Sequence, residues 1–222
     1  MNELVPVFET SLFDSPIMDI GMEFAEIGID EVLNDGLLKD IPIVSTVVGL
    51  SKFAQNIYDR NLLRQTLMFI KEFNSNGGNS NKVEQHRREL QQNPKRMEAE
   101  LGRVLIILNK NIDLIKSQFE AKFYAAYINE QIGWEDFCEL CDVTDRLFVS
   151  DIDNLKEAYV NNGVKENMPI TYRYDRLISV GLLVNKDRIS SGLVMTIENS
   201  EESLTLIDFT DMGKKFCSLV FD

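Results

Sequence analysis

The chain has 222 residues, of which 44% are hydrophobic and 27% charged, a composition typical of soluble globular proteins and unlike that of disordered or collagen-like chains. Its formal charge of −13 repels a phosphate backbone, so non-specific nucleic-acid binding by the whole surface is unfavourable. Ten acids and a single lysine fall within the first 50 residues, so most of the excess charge lies early in the sequence. The three cysteines cannot all pair within one chain, and this odd number indicates a reducing, cytoplasmic compartment.

Helical periodicity dominates the first two thirds of the chain. Apolar side chains recur at spacings of three and four from residue 12 to residue 34, with Asp19, Glu23, Glu26 and Asp30 on another face that we interpret as solvated. The first predicted helices span residues 12–34 and 41–58, the latter with Pro42 in its first turn. After Asp59–Asn61, residues 62–73 form either a third helix or a bent continuation of the second. Further predicted helices are two pieces of 82–103 divided by Pro94, a buried hairpin at 101–128, and helices after residues 134 and 147.

Residues 74–81 consist only of Asn, Ser and Gly, and this composition predicts a mobile loop. The stretch that follows, residues 82–103, is the only locally basic region, with six bases and four acids. Its candidate interaction residues are Arg87, Arg88, Lys95 and Arg96. We expect them to meet the acidic N-terminal helix of the same or a second chain, with anionic lipid and an acidic partner protein as alternatives.

The last third of the chain changes character. Residues 170–184 read as a helix that ends at Asn185, and the β-branched runs at 193–197 and 204–207 predict a β-hairpin. Thr210 is expected to cap a short closing helix. With the segment from Arg176 to Leu183 before the hairpin and the segment from Leu206 to Phe216 after it, residues 145–222 resemble a winged-helix domain.

The resemblance implies either DNA binding or protein interaction. Winged helices that read DNA usually present a basic recognition helix, whereas residues 170–184 offer only Arg173 and Arg176, offset by Asp175. Residues 142–222 as a whole contain nine bases and fourteen acids. This departure favours use of the fold as a protein-interaction module.

A second resemblance concerns mainly residues 30–160. The runs Asp35–Ile43, Val47–Leu50 and Tyr58–Arg60 make this part of the chain similar to a group of bacterial helical proteins of undefined role. Some proteins of similar layout are associated with abortive infection, the sacrifice of a phage-infected cell. The resemblance carries no catalytic motif.

Candidate chemistry is sparse. Cys138 and Cys141, three residues apart, suit a redox pair or half of a zinc site that Cys217 and His86 would complete, but we interpret them as buried structural thiols. His86 lies in a wholly polar sequence and is expected at the surface. The chain contains neither a phosphate-binding loop nor a Gly-x-Ser-x-Gly motif, so we expect no catalytic residue, metal or cofactor.

We therefore expect a mainly α fold, with a helical domain at residues 1–140 followed by a winged-helix-like α+β domain with one β-hairpin at residues 141–222. The expected function is that of a non-enzymatic cytoplasmic bacterial protein that acts through a protein partner or as a homo-oligomer, in phage defence. One alternative is a transcription regulator that binds DNA through Arg173 and Arg176. The other is an effector whose apolar residues 37–57 associate peripherally with a membrane after a trigger.

Overall fold

A computed structural model of the chain describes residues 4–14, 41–49, 57–76, 80–186 and 205–222. The fold is mainly helical, with one small antiparallel sheet near the C-terminus. The chain divides into two compact units, residues 1–141 and 142–222. The helices of the first unit are α1 (Leu4–Asp14), α2 (Pro42–Gly49), α3 (Ile57–Asn76), α4 (Ser80–Gln92), α5 (Pro94–Lys110), α6 (Leu114–Ile128) and α7 (Trp134–Arg146), which ends beyond the division.

An aromatic core holds the first unit together. Helices α3 and α6 pack closely, and their Phe69, Phe73 and Tyr124 side chains are almost fully buried. The ring centroid of Tyr124 lies 5.8 Å from the centroids of both Phe69 and Phe73 and 5.6 Å from that of Phe137 on α7. Aromatic pairs at these separations stabilise a core beyond the effect of their buried area.

Pro94 divides the basic stretch into two helices, as predicted. It occupies the first position of α5, where its missing N–H costs nothing, and Asn93 caps the helix by accepting a hydrogen bond from the backbone N–H of Arg96 at 3.1 Å. Helix α5 then runs from an exposed first turn into a buried apolar face that includes Leu101, Val104 and Leu108. The predicted hairpin of residues 101–128 is thus formed by the second part of α5 and by α6.

Other boundaries in the first unit differ from the prediction. The first described helix begins at Leu4 rather than residue 12, and residues 15–40, with most of the predicted acidic helix, lie outside the described residues. Helix α3 already includes Asp59–Asn61, because an acid in the first turn is favourable there and Asn61 donates to the backbone oxygen of Asn111 at 2.7 Å. The predicted loop at 74–81 is too long, since α3 extends to Asn76 and α4 begins at Ser80.

The second unit combines short helices with the sheet. Strand β3 lies between β1 and β2, and both pairings are antiparallel, with Leu183 opposite Phe209 and Val164 opposite Ile207. The elements are a 3₁₀ turn at Val149–Asp151, α8 (Ile152–Val160), β1 (Val164–Lys165), α9 (Tyr172–Ser179), β2 (Leu183–Asn185), β3 (Thr205–Phe209) and α10 (Asp211–Phe221).

The predicted helix at 170–184 is wrong at its C-terminal end. Helix α9 stops at Ser179, and Gly181 adopts a φ of 85°, which ends the helix in a Schellman motif closed by bonds from Gly181 N to Ile178 O and from Leu182 N to Leu177 O. Because Leu182 and Leu183 are buried, the apolar pattern continues past the end of the helix, and the sequence did not reveal the strand. Of the predicted hairpin, residues 193–197 lie outside the described residues.

The closing helix starts as predicted. Thr210 Oγ1 accepts a hydrogen bond from the backbone N–H of Gly213 at 2.9 Å, so Thr210 is the N-cap of α10. A Cβ atom built on Gly213 would lie 1.9 Å from the backbone oxygen of Leu182. Only glycine therefore allows α10 to approach the chain at the start of β2 this closely.

Candidate functional site

A buried polar junction joins α4, α5 and α6. His86 on α4 is 8% exposed and Glu100 on α5 is 5% exposed, and His86 Nε2 lies 2.6 Å from Glu100 Oε1. An ionised carboxylate only accepts hydrogen bonds, so Nε2 carries the donated proton. The expectation that His86 lies at the surface is wrong. It forms one face of α4 with the buried Leu90, four residues later, and Glu100 shares a face of α5 with Val104.

Three further donors surround the Glu100 carboxylate. The hydroxyl of Tyr124 donates to Oε1 at 2.8 Å, that of Tyr127 lies 3.4 Å from Oε2, and Arg96 Nε lies 3.5 Å from Oε2. Burial alone would raise the pKa of Glu100, but the hydrogen bond and charge of His86, together with Tyr124 and Arg96, outweigh it and lower this pKa below 4.5. Burial, followed by the charge of Glu100, raises the pKa of Tyr124 well above 10.

Charged residues attach α4 to the other helices at both ends. Arg87 Nε donates to Glu9 on α1 at 3.0 Å, and the same guanidinium forms a bidentate pair with Asp14. The hydrogen bond with Asp14 is the largest of the contacts that raise the pKa of Arg87. Near the other end, Lys82 Nζ donates to the backbone oxygen of Asn129 at 2.8 Å and pairs with Glu130. Arg87 thus pairs with Glu9 and Asp14 of α1, whereas the acids that define the predicted helix at 12–34, Asp19, Glu23, Glu26 and Asp30, lie outside the described residues.

A cavity of about 190 Å³ lies beside this junction and is lined by His86, Glu89, Arg96 and Tyr127 among others. Its charged groups are already paired with one another: Arg96 Nη1 donates to Glu89 at 3.0 Å, and Nε of the same guanidinium lies 3.5 Å from Glu100 Oε2. This arrangement stabilises the packing of α4 and does not present an unpaired charge to a ligand. We therefore interpret it as a structural junction.

The acid sensitivity of the first unit should depend on Glu100. The pKa of Glu100 is lower in the folded protein than its ordinary value of 4.5. Ionised Glu100 therefore contributes its full stabilisation when the pH is above the pKa of the unfolded state. This contribution is lost as the pH falls through the pKa of the folded state. We expect the decrease in urea midpoint between about pH 6 and pH 3 to be smaller in Glu100→Gln than in the wild type. Tryptophan fluorescence measures the urea midpoints. If they decrease equally with pH in the wild type and in Glu100→Gln, Glu100 does not have this role.

An apolar groove of about 500 Å³ opens on another face of the first unit, between α1, α3 and α5. At its edge, Tyr58 is 73% exposed and the adjacent Ile57 is 76% exposed, while Ile106 on α5 is 47% exposed. A Cβ atom at Gly102 would meet only Val5 Cγ2, at 3.8 Å, so the groove is open above this glycine. The lining residues are Leu4, Val5, Tyr58, Asp59, Leu62, Glu98, Ala99, Gly102, Arg103, Leu105, Ile106 and Asn109.

The sequence did not reveal this groove. Ile106 lies in the apolar run that we read as wholly buried, and Ile57 and Tyr58 lie at the end of another predicted helix. The sequence did contain an indication that a residue such as Ile106 is exposed. The run from Val104 to Leu108 has five consecutive apolar residues, and these cannot all lie on one buried face of a helix.

The other candidate interaction residues lie in different places and have different partners. Arg88 is exposed and pairs with Glu84 one turn earlier, and Lys95 is exposed in the first turn of α5. In the second unit, Arg173 donates to the backbone oxygen of Ser150 at 2.8 Å and to Asn154 at 3.1 Å. Arg176 pairs with the buried Asp151, and its Cζ lies 4.3 Å from the ring centroid of Phe148 and 4.9 Å from that of Tyr172. Both arginines thus contact groups of their own unit.

All three cysteines are thiols that form no disulfide bond. Cys138 and Cys141 lie on α7, half-buried and buried respectively, while Cys217 is buried on α10, where desolvation raises the pKa of its thiol to about 12. In the described part of the chain, no three potential metal ligands of the His, Cys, Asp or Glu type come together.

Comparison with protein-family models, with curated proteins and with solved structures finds no match to this chain. Among the helices of the described residues, none has both the length and the apolar character needed to cross a bilayer.

Proposed function

We propose that this protein acts without catalysis, through contacts between its apolar groove and another protein chain, as a bacterial protein of phage defence. The groove itself is the observation that carries the proposal. It combines about 500 Å³ of space with the exposed side chains of Tyr58 and Ile106 in its lining, and Ile57, next to Tyr58 in the chain, is exposed as well. Clustered exposed apolar side chains of this kind mark sites of protein association, whereas single ones do not.

The charged residues support the same proposal. Arg87 and Arg96, which sequence analysis offered as contacts for a partner, are engaged with carboxylates of their own unit. The polar junction around Glu100 is buried and presents paired charges. The groove, by contrast, offers apolar surface that a second protein chain would remove from water, at roughly 25 cal/mol per Å².

In the second unit, the sheet order β1-β3-β2 and the helices around it support a winged-helix-like domain. Arg173 bonds to Ser150 and Asn154, and Arg176 pairs with the buried Asp151. This use of the two arginines favours protein interaction over phosphate contact for the domain. Phage defence is proposed from the resemblance of residues 30–160 to helical proteins associated with abortive infection.

Site-specific photo-crosslinking in living cells tests the groove. We expect p-benzoylphenylalanine at position 106 to give a discrete protein adduct that disappears when Tyr58→Asp is added, because both side chains border the groove. The matched control is position 112, where an isoleucine that is 81% exposed lies outside the groove. Absence of an adduct at 106, or the same adducts at 106 and 112, would overturn the proposal of a protein-binding groove.

The biological process is tested separately with Ile106→Asp and its control Ile112→Asp. Expression of the wild type and of Ile112→Asp should reduce plaque formation by an infecting phage, and Ile106→Asp should restore it. If a groove adduct forms but none of the three proteins affects plaques or growth, the protein-contact proposal stands and phage defence is excluded.

A further inference from the structure

We propose that the chain occupying the groove is a second copy of this protein, so that two grooves face each other across a two-fold axis. This inference rests on the proposed function, because it names the partner of the same groove. Three properties of the face support a second copy: its shape, the charges on its two walls, and the lack of internal ion pairs for those charges.

The face combines a projection with a hollow, as a self-complementary interface requires. In a two-fold dimer the same patch is used by both subunits, so whatever protrudes must fit a depression of the same surface. Ile57 and Tyr58 are strongly exposed at the start of α3, and Tyr58 lines the same groove as Gly102, where a Cβ atom would meet only Val5. A tyrosine is well suited to this position, because it contributes a large apolar ring at a low cost in side-chain entropy.

Of the three charged residues that line the groove, Asp59 and Arg103 carry opposite charges on different walls, and Glu98 lies on the same helix as Arg103, five residues earlier. Asp59 belongs to the α3 wall, whereas Arg103 belongs to the α5 wall. A two-fold axis that runs along the groove places the α3 wall of each copy against the α5 wall of the other. Asp59 of one copy then faces Arg103 of the other, and the symmetry produces this opposite-charge pair twice.

Within the described residues, neither Asp59 nor Arg103 belongs to an internal ion pair. Four other arginines do have a carboxylate partner in their own unit: Arg87, Arg88, Arg96 and Arg176. Arg103 differs from these arginines in that it borders an apolar groove with an aspartate on the opposite wall. The same two residues therefore provide the test.

Charge exchange between two variants gives that test, with the full-length protein measured by sedimentation velocity and mass photometry. We expect the wild type to dimerise, and Asp59→Lys and Arg103→Glu each to weaken the homodimer on the order of 10-fold, because each variant places like charges opposite each other. An equal mixture of the two variants should regain dimers, since the introduced lysine of one variant then faces the introduced glutamate of the other. Tyr58→Asp should also weaken association, because it replaces an exposed apolar ring of this face by a charged side chain.

The inference is wrong if the wild type stays monomeric up to about 0.1 mM, a concentration well above the dissociation constants of stable dimers. It is also wrong if none of the variants weakens the dimer, or if the mixture of Asp59→Lys and Arg103→Glu does not regain dimers. Circular dichroism of each variant establishes that it is folded before association is measured. If the wild type is monomeric but position 106 gives an adduct with a different protein, the inference fails while the proposed function stands. If position 106 gives no adduct at all, the proposed function fails with it.

Discussion

Replacement of Glu100 by alanine should lower the free energy of unfolding of the first unit by about 3 kcal/mol and its melting temperature by roughly 10 °C. The substitution removes the acceptor that His86, Tyr124 and Tyr127 share, and leaves the buried donor groups of His86 and Tyr124 in a low-dielectric interior. A buried group that loses its partner costs more than an exposed ion pair contributes. The effect should therefore greatly exceed that of any exposed charge on α5.

Trp134 provides a local signal for this measurement. It is the only tryptophan of the chain, and its ring stacks on Phe137 at 5.0 Å and lies 5.2 Å from the ring of Tyr127. Urea unfolding followed by its fluorescence therefore reports on the first unit. Glu98→Ala is the matched control, an exposed glutamate on the same helix, and should change stability by less than about 0.5 kcal/mol. Equal midpoints for the two variants would show that the junction does not hold α4 in place.

Replacement of Gly213 by alanine should disrupt the second unit. The added methyl group would lie 1.9 Å from the backbone oxygen of Leu182 and 2.8 Å from its carbonyl carbon, and backbone atoms cannot move aside as a flexible side chain can. Either α10 must shift away from β2, or the N-cap bond to Thr210 must break. We expect the free energy of unfolding of the second unit to fall by about 3 kcal/mol or more. The fraction of molecules in which this unit is open then increases at least about 100-fold.

Cys217, one turn after Gly213 on α10, reports this opening. In the folded protein it is buried, and desolvation raises the pKa of its thiol to about 12, so reaction with iodoacetamide at neutral pH requires opening. Gly213→Ala should therefore accelerate labelling of Cys217 at least about 100-fold. Lys214→Ala, at the exposed neighbouring position, should leave the rate within about threefold. An unchanged rate in Gly213→Ala would contradict the close approach at Leu182.

Local patterns in the sequence were sufficient for several elements. The division at Pro94, the cap at Thr210 and the helical hairpin of residues 101–128 were predicted because each depends on neighbouring residues in the chain. The junction of α9 and β2 was missed, because Leu182 and Leu183 continue an apolar pattern while Gly181 turns the backbone. Apolar spacing indicates which residues are buried, but it does not distinguish a last helical turn from a short buried strand.

The candidate sites show the same limit. The residues directly beside His86 are polar, and only the packing of α4 against α5 and α6 places it next to Glu100 and two tyrosines. Arg87, Arg96, Arg173 and Arg176 were offered as contacts for a partner because the sequence shows charge but not its nearest counter-charge. The groove combines residues from α1, α3 and α5 that are far apart in the sequence.

By itself, the sequence determined that the chain is mainly helical, that its charge is concentrated near the start, and that Thr210 caps the last helix, because periodicity, composition and this cap are local properties. The tertiary structure decided which charges are satisfied internally, that the sole histidine is buried, and that the exposed side chains of Tyr58 and Ile106 border one groove. These properties depend on which residues of different helices become neighbours, and that is fixed only when the helices pack.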